Sequence, residues 1–233
     1  ARAEQLREPL RQALAALELA VTPATPFDPA VATDTWRVAA FDYGESTIVL
    51  PALNGLRTAA PGTRLAVQET APSRIAKLAE QGEIDLAFHT REGASPGLRQ
   101  RTLFSERYVL VGRVGHPKLH ENLTLAQFCE LEQVMVSPDG AGFYGITDQA
   151  LADVGLTRRV VLSVPHFLFV ISVLAQSDLV AMLPERLVRN QPLLQQLEPP
   201  LAVPGFEMTM LWHERSHRDP AHRWLREHIV RSV

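Results

Sequence analysis

The stretch RVAAFDYGESTIVLPALNGL, residues 37–56, decides how the chain is read. Val38, Ala39, Ala40 and Phe41 form a short apolar run that predicts a strand. A polar turn from Asp42 to Glu45 follows. Ile48, Leu50, Leu53 and Leu56 then recur at roughly helical spacing, which predicts a helix over 46–60. Ser46 and Thr47 fall at its expected start, where a hydroxyl satisfies free backbone donors. Such a terminus also seats a carboxylate well, because its N–H groups are free and the helix dipole is positive there. A small anionic or aromatic molecule is therefore expected to be held and sensed at this point.

Outward from this stretch, strand and helix alternate. Strands are expected over 37–42, 64–70 and 84–89, with a second helix over 72–81 and Gly62 and Gly82 at the helix ends. A βαβαβ run predicts a parallel sheet with right-handed crossovers. Extended runs follow over 98–104 and 107–113, and His116–Pro117 closes the block. The same grammar then repeats. It gives helix 125–130, strand 133–137, helix 144–154 ending near Gly155, strand 159–164, helix 167–176, strand 179–183, and a short helix from Pro184 to Arg189. Strand 208–212 alternates with period two. A last helix has Asp219 as its N-cap and Pro220 at its first position, with Trp224, Leu225, His228 and Ile229 as its buried face. With that helix packed on the first unit, the chain crosses between units near 113–115 and again near 204–207. Two crossings predict a hinge, with a cleft at the carboxyl ends of the strands. The expected division is a helix over 1–21, a linker over 22–35, lobe 1 over 36–113 and 207–233, and lobe 2 over 114–206.

The front of the chain differs from the rest. Ala3, Leu6, Leu10, Ala13, Leu17 and Ala20 form a heptad-like stripe among charged residues. It reads either as a helix packed on its own domain or as the tail of a longer dimerising helix. Pro23, Pro26 and Pro29 mark an extended linker.

The totals exclude several classes. With 46% hydrophobic residues the chain can bury a proper core. A net charge of −3 argues against this surface binding nucleic acid by itself, since phosphate contact wants a concentrated basic face. No apolar run approaches the roughly 18 residues of a membrane span. The single cysteine, Cys129, forms no internal disulfide and suits a reducing cytoplasm. No signal peptide is visible, and the abrupt start suits a fragment.

Two motifs are set aside. His213-Glu214-Arg215-Ser216-His217 matches a zinc pattern that needs both histidines one turn apart on a helix. Here the strand rhythm of Met208, Met210 and Trp212 runs into the motif, so the histidines are expected on a strand end and a turn. Gly140-Ala141-Gly142-Phe143-Tyr144-Gly145 matches a dinucleotide-binding loop, but the next strand ends in Pro165-His166 where an acidic residue is wanted. The favoured reading is a loop bringing backbone N–H groups to the cleft. Cys129 reads as a buried structural thiol. No nucleophile–base–acid arrangement is visible, so no catalytic residue, metal or cofactor is expected.

The segments FDYGESTIVLPAL (41–53), GEIDLAF (82–88), YVLVGRVGHP (108–117), SDLVAMLPERL (177–187) and WHERSHRDPAHRWLRE (212–227) occur in an order and spacing that resemble the effector-binding domain of LysR-type transcriptional regulators. The last is most similar to the subgroup with nodulation and aromatic-catabolism regulators, and EQLREPLRQAL (4–14) looks like the end of that family's linker helix. The resemblance implies a two-lobed α/β fold of the periplasmic-binding-protein type 2 kind. It implies a homodimer or homotetramer in the cytoplasm, with no membrane contact and with RNA polymerase as a further partner. DNA contact would belong to a winged helix-turn-helix domain, which is expected to be missing from this chain. A solute-binding protein of a transport system shares the fold and is the alternative.

Strand ends and helix starts of both lobes then supply the expected contacts to a small-molecule effector. In the first lobe these are Asp42, Tyr43, Ser46, Thr47 and His89. In the second they are Ser137, Gly140, Phe143, His166 and Phe167. Ser46 and Thr47 are the expected donors to an anionic or carbonyl group, the histidines the polar contacts, and Phe143 and Phe167 the ring-stacking surfaces. Each has a plainer alternative as cap, turn or core residue. Glu45 is expected to face solvent or to pair with an arginine.

Overall fold

The computed structural model describes residues 10–12, 14, 27–90, 97–137 and 142–233. Leu10, Arg11, Gln12 and Leu14 are helical with exposed side chains, while the rest of the heptad-like stripe lies outside the described residues. The chain then runs β1 (Thr35–Ala39), a helix α1 in three joined segments (Asp42–Gly44, Glu45–Val49 and Leu50–Ala59), β2 (Arg64–Gln68), α2 (Pro72–Gln81), β3 (Leu86–Thr90) and β4 (Leu98–Glu106). Next come β5 (Tyr108–Arg113), α3 (Leu125–Glu130), β6 (Glu132–Val136), α4 (Ile146–Ala152), β7 (Arg159–Val164) and α5 (Phe167–Ala175). The last elements are β8 (Ala181–Pro184), α6 (Glu185–Val188), β9 (Leu194–Leu197), β10 (Phe206–His213) and α7 (Pro220–Ser232).

The first sheet has the order β2-β1-β3-β10-β4. β1 is parallel to β2 and β3, and β10 is antiparallel to β3 and β4. Side chains alternate across it as a strand requires. Trp36, Val38, Met208, Met210 and Trp212 face a core shared with Leu56 of α1 and with Leu225 and Ile229 of α7. Ala39, Ala87 and Leu211 face the other way, onto Ile75, Leu78 and Ala79 of α2.

The second sheet is built from β8-β5-β9, all antiparallel neighbours, and the parallel pair β6-β7. A bridge between Gln133 and Val180 joins the two parts. Here too the alternation divides two cores. Val109, Val111 and Leu183 point to Val170 and Leu174 of α5, while Leu110, Val180 and Met182 point to Phe128 of α3 and Leu151 of α4. The cluster on the α1, α5 and α7 side is continuous from one sheet to the other.

The two-unit architecture follows the sequence expectation, with four differences. The first helix begins at Asp42, because a π-helical segment at Glu45–Val49 carries the turn expected to be loop straight into the helix. β5 pairs with β8 and β9, so the chain leaves the first sheet at Arg107 and not near 113–115. A strand not anticipated, β9, edges the second sheet. The buried face of α7 includes His222 and Arg226 beside Leu225 and Ile229, while Trp224 and His228 are only partly buried.

Candidate functional site

The carboxyl ends of β1 and β3 and the start of α5 meet where the two sheets approach. Asp42 opens α1 and is buried. One oxygen of its carboxylate accepts from the Tyr43 N–H at 2.9 Å, and the other accepts from the Leu168 N–H at 2.7 Å. A first-lobe carboxylate thus fills the N-terminal end of a second-lobe helix, the seat an anionic ligand would otherwise favour. The Tyr43 ring lies 5.7 Å from the Phe167 ring and 5.6 Å from the Phe206 ring. Its hydroxyl donates to Glu106 at 2.6 Å. Burial, then the hydrogen bond to the Glu106 carboxylate and its charge, push the phenol pKa far above the usual value, so the proton stays on Tyr43.

Thr47 is buried and one turn inside the helix, not at its start. Its hydroxyl donates to the Tyr43 carbonyl at 2.7 Å, so the donor role expected of it is already taken. Ser46 lies in the same π-helical segment, half-buried, and its hydroxyl makes no hydrogen bond among the described residues. The side chain of Glu45 is half-buried and forms no ion pair among the described residues. The expectation that Ser46 and Thr47 cap the helix is therefore corrected: Phe41 holds the cap position and offers no side-chain hydrogen bond.

His89 lies half-buried near the end of β3, with its ring 6.3 Å from Phe41 and its Nδ1 3.1 Å from the Thr90 carbonyl. His166 precedes α5 and is exposed, with Nδ1 3.5 Å from the Glu69 carboxylate across the gap between the lobes. Both partners are about half exposed, so this pair adds little to stability and is charged only when the imidazole is protonated. Phe167 is half-buried against Tyr43, whereas Phe143 is 57% exposed. Ser137 follows β6, and its hydroxyl accepts from the Gly142 N–H at 3.3 Å. Gly140 lies outside the described residues, as does Ala141 of the glycine-rich loop.

Asp42, Tyr43, Thr47 and Phe167 are therefore brought into one interlobe contact, His166 sits on its rim, and Ser137 joins the second-lobe loop. The sequence reading missed Glu69, Glu106 and the Arg186 N–H, which Glu106 accepts at 3.3 Å. A Glu106–Arg107 pair directly ahead of the apolar run of β5 was a local signal that could have marked the crossing.

Glu214 of the zinc-like motif pairs with Arg99, and His213 ends β10 ahead of a 3-10 turn at Glu214–Ser216, as the strand rhythm required. No group of metal-binding side chains occurs among the described residues. Cys129 is half-buried in α3, and burial raises its thiol pKa.

Two α/β lobes joined by two crossing segments, with polar strand ends facing a helix start, define a regulatory domain of the periplasmic-binding-protein type 2 fold. The chain belongs to the LysR substrate binding domain family, whose profile matches residues 30–233. Over 228 residues it is 34% identical to the HTH-type transcriptional activator NagR of a Ralstonia species, covering 97% of this chain and 75% of that protein. It is 32% identical over 228 residues to the HTH-type transcriptional activator NahR of Pseudomonas putida, covering 97% and 76%. Among solved structures it superposes on the regulatory domain of MexT, a transcriptional activator in Pseudomonas aeruginosa, with a TM-score of 0.75 at 28% identity over 88% of this chain and 100% of that one. The chain is thus the effector-sensing part of a LysR-type transcription regulator.

Proposed function

We propose that the effector is a small aromatic or carboxylate molecule held between the lobes, and that it acts by changing how the lobes meet. The observation carrying this reading is the Asp42–Leu168 contact, a first-lobe carboxylate bound to a second-lobe helix end. Any guest entering the gap competes with or reinforces this junction, and so shifts the balance between two lobe arrangements. With that helix end already filled by Asp42 and the Thr47 hydroxyl already donated, the guest's polar group is assigned to Ser46 and His166, beside His89. Phe143 and Phe167 offer it apolar surface, and Ser137 completes the second-lobe side.

The protein acts as a homodimer or homotetramer in the cytoplasm and touches DNA through a winged helix-turn-helix domain, with RNA polymerase as a further partner. No bond is made or broken in its action. Its lobes are 36–106 with 207–233, and 108–206. The solute-binding alternative is not favoured, because the family and the relatives named above are transcription regulators.

A thermal-shift screen of aromatic carboxylates tests the reading. A ligand at a hundred times its Kd stabilises by about 2.7 kcal/mol, enough to raise Tm by several degrees. Ser46→Ala and His166→Ala are expected to keep the unliganded Tm and lose most of that rise. If both variants respond like the parent chain, the interlobe assignment is wrong.

A further inference from the structure

An opening lies away from the crossing segments, at the Leu98 and His213 ends of β4 and β10. It is a hollow of about 750 Å³ between those strands, the turn after β10, and α7. Its size suits a small ligand, since such sites run to roughly 300–1,000 Å³. Met210 and Trp212 form the floor, and both are buried.

The charge around it is unbalanced. Five arginines line the hollow against two glutamates. Arg99 pairs with Glu214, and Arg101 pairs with Glu227 at 3.0 Å. Arg218, Arg223 and Arg226 are left without a carboxylate in ion-pair reach among the described residues. Arg226 is only 6% exposed and stacks over Trp212, 4.6 Å from ring centre to guanidinium carbon. Its N–H groups donate to the Ser216 and His217 carbonyls at 3.2 and 2.8 Å and to the His222 ring. Those neutral acceptors orient the group without closing an ion pair, and the charges of Glu227 and Asp219 act on it only from a distance. Arg218 and Arg223 stand exposed at the mouth, and their guanidinium groups make no hydrogen bond or ion pair among the described residues. Three unbalanced cations around one hollow run against a chain whose net charge is −3, so they concentrate a positive field locally.

We propose that this hollow is a second ligand site, taking a small dianion: a phosphate ester or a compact dicarboxylate. The guanidinium forks of Arg218 and Arg223 match the oxygens of either group, each in bidentate fashion. Arg226 supplies charge from behind without moving, because its hydrogen bonds and the Trp212 ring already hold it. The remaining volume takes the body of the molecule. The site is separate from the interlobe gap, since β4 and β10 reach their crossing ends at Glu106 and Phe206, opposite the hollow.

Isothermal titration of the intact chain at low ionic strength, with inorganic phosphate in one arm and phthalate in the other, tests this. At least one dianion is expected to bind saturably with one-to-one stoichiometry, and the stronger arm identifies the group. The double variant Arg218→Ala, Arg223→Ala should weaken that binding about tenfold or more, the scale of losing one charge-assisted contact. Arg74→Ala removes a charge from α2, on the other face of the sheet, and should leave the affinity unchanged, as should His166→Ala in the interlobe gap. Absence of saturable binding in both arms overturns the proposal. So does an equal loss in the Arg74→Ala chain, which would mark the attraction as a general charge effect.

Discussion

Glu106 shows how one side chain can tie several parts of a fold together. It is 6% exposed and accepts from the Tyr43 hydroxyl, from the Arg107 N–H at 2.9 Å and from the Arg186 N–H. Those donors belong to a first-lobe helix, a crossing segment and a second-lobe helix. Tyr43→Phe removes one donor while leaving the carboxylate buried. The expected cost is about 1–3 kcal/mol, seen as a lower urea midpoint. An unchanged midpoint would mean that solvent reaches Glu106 and replaces the phenol.

His222 behaves differently. Its Nε2 donates to the Asp85 carbonyl at 2.9 Å, and its Nδ1 accepts from Arg226, which has no lone pair to offer, so the ring is held neutral. Burial first, and the Arg226 charge as well, lower its pKa below the ordinary imidazole value. The unfolded chain, with its histidine near about 6.5, then binds the extra proton first as pH falls. The His222 contribution is flat above that unfolded value. Stability is lost as pH falls through it, and levels out below the depressed native value. Urea midpoints measured downward from pH about 8 should show this loss, and His222→Gln should flatten it.

Among the elements, the crossing segments are the tightest. A methyl group built on Gly205 would overlap the carbonyl oxygen of Glu106 in the other crossing segment. Neither backbone can yield without moving a sheet, so Gly205→Ala should destabilise by roughly 1–3 kcal/mol. Hydrogen exchange should place the loosening at Arg107 and along β10 before the outer strands. Uniform exchange would instead place the strain elsewhere.

Which elements were legible is a matter of how local their signal is. The period-two rhythm of Met208, Met210 and Trp212 announced β10, and Thr124 and Gln127 close a capping box on the α3 helix, whose bounds were anticipated. β5 is an apolar run buried along its middle, so nothing in YVLVGR tells which sheet receives it. β9 is four residues long, with two glutamines in its middle, too short to announce itself. The start of α1 was hidden because Ser46 and Thr47 imitate a cap one turn too late.

At the scale of the whole molecule, the two-unit repeat of strand and helix was enough to anticipate the fold. The interlobe contacts were not, because they join residues far apart in sequence. Asp42 meets the Leu168 N–H across 126 positions, and Tyr43 meets Glu106 across 63. Composition and periodicity say which groups want partners, and only the folded chain says who the partners are. Residue type alone did not show that the polar atoms of Asp42, Tyr43 and Thr47 bond within the protein itself.

The wide turn at Glu45–Val49 carries a last consequence. There the Leu50 N–H reaches back to the Glu45 carbonyl, five positions earlier, where an ordinary helix would reach four. Removing a single amino acid from that coil would let it relax to regular winding. Everything upstream would then swivel by about 100° and be drawn in by about 1.5 Å. Asp42 would point away from Leu168, and Tyr43 would withdraw from Glu106. One surplus residue thus works as a spacer, setting the angle at which one half of the molecule grasps the other.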